Sequence, residues 1–177
     1  MIIKPILDEK KILSGAWDDN VSWEFYISEN LPPKELCTAT FCVGMYKDKI
    51  VLTRSHRGWE LLGGHIEKGE TIAEALEREA LEEGGFKIDR YKLFGYRKYI
   101  AKKKVKSGGN FEYPFPVSYN PHFIAISENE PGNCCDDECF ERGLFTIDEV
   151  EKLSIKSYPL IKASLPFFKN WVIKKDQ

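Results

Sequence analysis

Residues 64–86, GHIEKGETIAEALEREALEEGGF, constrain this chain more than any other stretch. A glycine-bearing loop with Gly63, Gly64 and Gly69 runs into TIAEALEREALEE, which lacks glycine and proline and is rich in strong helix formers. Thr71 with Glu74 three residues later predicts a capping box at the helix start. Ile72, Ala73, Leu76 and Ala80 supply an apolar stripe for a sheet, and Gly84-Gly85 predict the stop. Glu79, Glu82 and Glu83 stand at i, i+3 and i+4, so three carboxylates gather on one face. Each like-charge neighbour there costs about 0.2–0.5 kcal/mol. A solvated glutamate face is the bland reading, and the helix alone does not decide against it.

The surroundings decide. Arg78 is a permanent cation able to hold Glu70 bidentately and so tie the loop to the helix. Gly63 and Gly64 let backbone approach closely and can offer a carbonyl to a cation. Glycine loop, clamp and carboxylate trio together predict a site for a hard divalent cation and its phosphate cargo.

Elsewhere the pattern is coarser. Residues 1–35 read as an N-terminal extension of one or two strands, with ILSGAWDDN as a turn region and VSWEFYI as a strand. TATFCVGMY, YKDK and IVLTRS read as strand, tight turn and hairpin partner. FKIDRYKLFGYRKYI holds one or two strands, and KKKVKSGGN is a basic loop read as a solvated hairpin tip. YPFPVSYN is extended but poor as a central strand because of its prolines, and PHFIAIS is a further strand. ENEPGNCCDDE is an acidic loop, and SYPLIKASLPFFKNWVIKK a closing helix broken or bent at Pro166. Strands on both sides of a central helix, with a closing helix, predict an α/β layering.

The formal net charge of −2 gives no basic surplus, so nucleic acid is not an expected partner. No apolar run approaches transmembrane length, and the N-terminus meets charges too early for a secretory signal, so no membrane partner is expected either. Five cysteines without framework spacing, in a domain too large to need staples, predict free thiols in a reducing, cytoplasmic compartment. The closely spaced Cys134, Cys135 and Cys139 lack a nearby fourth ligand for zinc.

With these residues in view, the stretch resembles the Nudix box, G-x5-E-x7-R-E-U-x-E-E-x-G-U, where U is bulky and apolar. Gly64, Glu70, Arg78-Glu79, Glu82-Glu83 and Gly85 match its fixed positions, and Ala80 and Phe86 stand at U, Ala80 being smaller than usual. The strand pattern of residues 36–177 is also similar to a Nudix domain. The resemblance implies an α/β/α sandwich with a mixed central sheet. It also implies hydrolysis of a pyrophosphate bond in a nucleoside diphosphate linked to another moiety. Carried over by position, Gly64, Glu79, Glu82 and Glu83 would hold Mg²⁺, or Mn²⁺, while Glu70 and Arg78 keep the shape. Glu79 or Glu82 would act as general base, and which one varies within the family.

For substrate contacts the candidates are Arg54, Arg57, Trp59 and His65, with Glu138 or Glu141 of the acidic loop, by the same resemblance, as a further ligand or base. His122, opening an apolar strand, reads as a core histidine. Subclass markers are absent: Ala101 and Lys102 stand where ADP-ribose hydrolases carry a proline, and His65 where enzymes clearing oxidised triphosphates often have lysine. The expected partner is a small nucleotide or related phosphate compound, and the N-terminal strands are free to pair across a homodimer. The competing reading is a Nudix-fold sensor that binds a nucleotide without cleaving it; intact box glutamates favour the enzyme.

Overall fold

The computed structural model describes residues 9–106, 112–133 and 139–173. Nine strands form one mixed sheet: β1 (Lys10–Ala16), β2 (Val21–Ile27), β3 (Ala39–Tyr46), β4 (Lys49–Ser55), β5 (Gly58–Glu60), β6 (Leu62–His65), β7 (Arg90–Ala101), β8 (Val117–Ser127) and β9 (Glu141–Phe145). Helix α1 (Ile72–Gly84) follows β6, and α2 (Ile147–Lys152) and α3 (Tyr158–Ile173) close the chain. The sheet order is β1-β2-β7-β8-β3-β4-β5, with β6 on β3 and β9 on β4. Only β3 and β8 run parallel; the other pairs are antiparallel.

Period-two alternation distributes the core between two faces. Val43, Ile50, Leu52 and Ile124 point to the side covered by Val150, Leu160, Ile161 and Phe168 of α2 and α3. Their neighbours Cys42, Val51, Phe123 and Ala125 point to the side covered by Ile72, Leu76 and Ala80 of α1. The fold is therefore the α/β/α sandwich with a mixed central sheet.

Several local expectations are corrected. Residues 12–16 of the supposed turn region belong to β1, and Gly15 is there because a Cβ would lie 2.7 Å from the Trp23 ring across the pair. The turn is confined to the following residues, where Asp18 Oδ1 accepts from Asn20 N and Val21 N at 2.7 and 2.9 Å. Of the one or two strands expected in FKIDRYKLFGYRKYI the structure has one, β7, so that expectation holds. β8 runs straight through Pro121 as a central strand. It tolerates a residue without an N–H because its ladder to β3 is interrupted there, between the Cys37–Tyr119 bridge and the Phe41–His122 pair. Similarly α3 continues unbroken through Pro166, which is exposed, as is Lys162 four residues earlier, whose carbonyl the proline leaves without its helical donor. The short strands β5, β6 and β9 were not anticipated at all. On α1 Ala75 joins Ala80 as a fully buried small residue, while Ala73 is only half-buried.

The N-terminal hairpin joins the same sheet, β2 pairing with β7 along its whole length, and β1 forms the sheet's end with Lys10 and Lys11 on it. Among the described residues no helix is long and apolar enough to cross a membrane.

Candidate active site

β6 delivers the loop, and α1 delivers the carboxylates. Thr71 caps α1 reciprocally with Glu74, its hydroxyl accepting from Glu74 N at 3.1 Å and its N–H donating to Glu74 Oε2 at 2.7 Å. At the other end Gly85 is left-handed (φ 56°), with its N–H on Leu81 O and that of Phe86 on Ala80 O, a Schellman stop. Gly84 sits so close to Leu62 of β6 that a Cβ would lie 2.6 Å from that side chain. Helix and strand are thereby pressed together where the glutamates emerge.

Arg78 is the hub. Its Nε donates to Glu70 Oε1 at 2.7 Å and its Nη2 to Glu70 Oε2 at 3.0 Å, a bidentate grip. Nη2 also donates to His65 O, and Nη1 to Glu79 Oε1 and Glu82 Oε2, all at 3.0 Å. All five N–H donors of a guanidinium are thus engaged. The Glu70 carboxyl is held below the usual carboxylate range, chiefly by Arg78, with help from the Glu67 N–H and against a smaller effect of burial. Arg78 is correspondingly held further into its charged form, first by Glu70.

Glu83 turns the other way. Its Oε2 accepts the Gly63 N–H at 2.8 Å, and the Cys139 thiol lies 3.7 Å from its Oε1. Thr53 Oγ1 donates to its backbone carbonyl at 3.0 Å. Gly63 adopts φ 137°, and a Cβ there would run into Thr40 O of β3. At Gly64 a Cβ would sit 2.6 Å from the Glu79 carboxylate, so that carboxylate occupies the space a side chain would fill.

This donor set, carboxylate oxygens against a glycine backbone, is the chemistry of a hard divalent cation. Among the described residues no three acidic, histidine or cysteine side chains converge as a preformed ligand group, because Arg78 and the Gly63 amide take up carboxylate oxygens. A cation there would compete with Arg78 for Glu79 and Glu82.

The other candidates scatter. Arg54 is exposed on β4 and paired with Glu141 at 3.0 Å, and Arg57 is paired with Glu60 at 3.1 Å. Trp59 packs edge-on against Phe145 at 4.8 Å as part of the core. His65 stays beside the loop, its Nε2 3.1 Å from the Tyr113 hydroxyl. Glu138 lies outside the described residues, as do Cys134 and Cys135. His122 is a core residue: buried between Phe25 and Phe41, Nδ1 2.9 Å from Asn120 O, and pushed down to about 3, first by burial and then by Arg97. The thiols of Cys37 and Cys42 are free, and that of Cys139 faces Glu83. Residues that sequence reasoning missed are Thr53, Cys139, and a polar group of Thr38, Arg97, Tyr99 and Asn120. The signal for the last was the run Ser118, Asn120 and His122 at alternate positions of β8, opposite Arg97 and Tyr99 of β7, on a face that is otherwise apolar.

Over 64 residues the chain is 41% identical to an 8-oxo-dGTP diphosphatase of Buchnera aphidicola subsp. Acyrthosiphon pisum, covering 34% of this chain and 52% of that protein. The enzyme of the same name from subsp. Schizaphis graminum is 36% identical over 63 residues, covering 32% and 48%. The chain thus spans about half the length of the curated relatives it matches. In structure it resembles the Bacillus subtilis pyrophosphohydrolase BsRppH, with a TM-score of 0.58 at 22% identity over 76% of this chain and 77% of that one. It also resembles the NUDIX domain of Shewanella oneidensis NrtR complexed with ADP ribose, with a TM-score of 0.57 at 13% identity over 78% and 94%. At such identities the likeness is one of fold. The family model for the NUDIX domain matches residues 36–164, loop, α1 and most of the sheet included, and the chain belongs to that family.

Proposed function

We propose that the protein is a divalent-metal-dependent hydrolase of a pyrophosphate bond in a nucleoside diphosphate derivative, acting in the cytoplasm. The observation that carries this reading is the gathering of Glu79, Glu82 and Glu83 around Arg78 and the Gly63–Gly64 backbone. Glu79, Glu82 and Glu83, with a Gly64 carbonyl, would hold Mg²⁺ or Mn²⁺. Such a cation would neutralise charge on the bridging phosphates and acidify a water for attack on phosphorus. Glu70 and Arg78 keep loop and helix in register, and the close glycine backbone admits the diphosphate. Glu82 is the better placed base. Its side chain is 45% exposed against 13% for Glu79, and its Oε1 makes no hydrogen bond among the described residues while Oε2 is held by Arg78. Oε1 is therefore the atom to accept the proton of the attacking water.

The test is phosphate release across nucleoside triphosphates (8-oxo-dGTP among them), ADP-sugars, dinucleoside polyphosphates and CoA, with Mg²⁺ and with chelator. Turnover of at least one class is expected, abolished by chelation and restored by Mg²⁺ or Mn²⁺. Binding without turnover of any member would move the assignment to a nucleotide sensor.

The two glycines separate site from scaffold. Gly64→Ala meets first the movable end of Glu79, so the variant should fold while the displaced carboxylate lowers kcat/KM about 10²-fold. Gly63→Ala meets backbone at a positive φ and should lose about 2–3 kcal/mol of stability. Thermal unfolding beside kinetics reads both; equal destabilisation of the two variants would contradict the assignment.

A further inference from the structure

Beyond the carboxylate site, the α3-side face of the sheet carries a polar group at the end facing the loop. Register places Phe25, Arg97 and Asn120 in one row across β2, β7 and β8, and Trp23, Tyr99 and Ser118 in the next. Thr38 Oγ1 donates to Asn120 Oδ1 at 2.8 Å, and Asn120 Nδ2 donates to the Tyr99 hydroxyl at 3.4 Å. Thr38, Tyr99 and Asn120 are all buried, so they form a fixed polar floor. Arg97 rises from it half-buried, its guanidinium 4.8 Å from the Trp23 ring centroid and its Nη1 3.4 Å from the Tyr99 hydroxyl.

What Arg97 lacks among the described residues is a counter-charge. Its Nε is buried with no hydrogen-bond partner, and none of the ion pairs among the described residues includes it. His122, two residues beyond Asn120 on the same face, is neutral and supplies none. Holding a guanidinium partly out of water against neutral groups alone is costly, and a bidentate anion is the partner its fork fits best.

The row leads to the active loop. Thr38 O accepts the Ile66 N–H at 3.1 Å, and Ala39 pairs with His65. From β7 across β8 and β3 to β6 is three strand spacings, roughly 14 Å between Cα atoms, less the reach of the arginine. His65 meets Tyr113 on the loop side, and the exposed ring of Trp17 lies 4.8 Å from Tyr99, with Phe115 exposed just before β8. A nucleoside or sugar unit spans that distance.

We propose that Arg97, set by Trp23 and Tyr99, is a specificity-determining residue that receives an anionic group, phosphate monoester or carboxylate, carried on the substrate away from its diphosphate. This rests on the reading that the diphosphate lies at the Gly64–Glu79 site. The substrate class is then a nucleoside diphosphate derivative with a second anion.

Matched pairs test it: NADPH against NADH and CoA against dephospho-CoA for phosphate, UDP-glucuronate against UDP-glucose for carboxylate. Equilibrium binding is measured by calorimetry in chelator, where turnover does not intervene, and kcat/KM is measured separately with Mg²⁺. In at least one pair the anion-bearing member should bind about tenfold tighter to the wild type, as one charge-assisted contact warrants. Arg97→Gln should bring that ratio to about one and leave the neutral member's Kd within about twofold. Arg97→Lys, which keeps the charge and loses the fork, should retain part of the preference and serves if the glutamine variant fails to fold. Which pair responds names the anion. Equal binding of both members in every pair, or a preference that survives Arg97→Gln, overturns the proposal. A preference in binding without hydrolysis of any member would overturn the proposed activity and leave this inference standing.

Discussion

Glu83→Gln is expected to lower kcat by about three orders of magnitude, about 4 kcal/mol on the barrier, with the fold left in place. The substitution keeps shape and removes charge. In the folded chain Glu83 Oε2 accepts the Gly63 N–H at 2.8 Å, and an amide oxygen can do the same, so the loop keeps its anchor. The amide nitrogen would then face the Cys139 sulfur, a weak acceptor, where Oε1 now lies 3.7 Å away. The Thr53 bond is to the backbone carbonyl and is untouched. Thermal unfolding should therefore move by no more than about 3 °C, the scale of 1 kcal/mol in a domain of this size. What disappears is one of the anionic ligands of the proposed cation, so saturation should require more Mg²⁺ and the plateau should stay low. Kinetics across Mg²⁺ concentration, direct cation binding and unfolding separate these effects. Hydrolysis at the wild-type rate would sink the proposed mechanism. Glu83→Ala is the less informative variant, since it also leaves the Gly63 N–H without its acceptor.

The carboxylate helix was legible in the sequence because everything that defines it is local. Thr71 and Glu74, Gly85, and the Glu79–Glu82–Glu83 spacing act within one or two turns, where chain geometry alone decides which groups meet. Even the Arg78–Glu70 pair spans only eight residues. The strands that escaped notice are short or broken by glycine: β5 has three residues, and β6 is LGGH, with no alternation to detect. β8 divides at YPFPVSYN in the sequence because Pro114 and Pro116 argue against a central strand, and the structure starts the strand just after them, at Val117. Substrate contacts were hardest for a related reason. Arg54, Arg57 and Trp59 follow the motif's approach in sequence, yet find partners in Glu141, Glu60 and Phe145. Arg97 on β7, Asn120 on β8 and Thr38 just before β3 are separated in the chain, and the sheet order brings them together.

Arg78→Lys should be the most damaging conservative change in the chain outside the cation's own ligands. Five hydrogen bonds run from this guanidinium to Glu70, Glu79, Glu82 and the His65 carbonyl. An ammonium is a point charge with three donors, so it can hold one carboxylate well and cannot span the others. Losing two or more charge-assisted contacts, at a side chain 24% exposed, should cost about 2 kcal/mol and lower Tm by about 4–8 °C. Activity should fall further than stability, about 10²-fold in kcat/KM, because Glu79 and Glu82 lose the group that sets their positions. A pH series separates the carboxylate partners from the His65 carbonyl. Arg78 holds the Glu70 carboxyl below its ordinary range, so the pair's contribution is complete above the unfolded pKa of about 4.3 and is lost as pH falls through the lower folded value. The stability difference between wild type and Arg78→Lys should accordingly be level from pH 8 down to about pH 5 and shrink in more acid solution. A difference that stays level to about pH 3 would mean that the arginine's stabilising work is done on the His65 carbonyl, and that Glu70 contributes little to holding the loop.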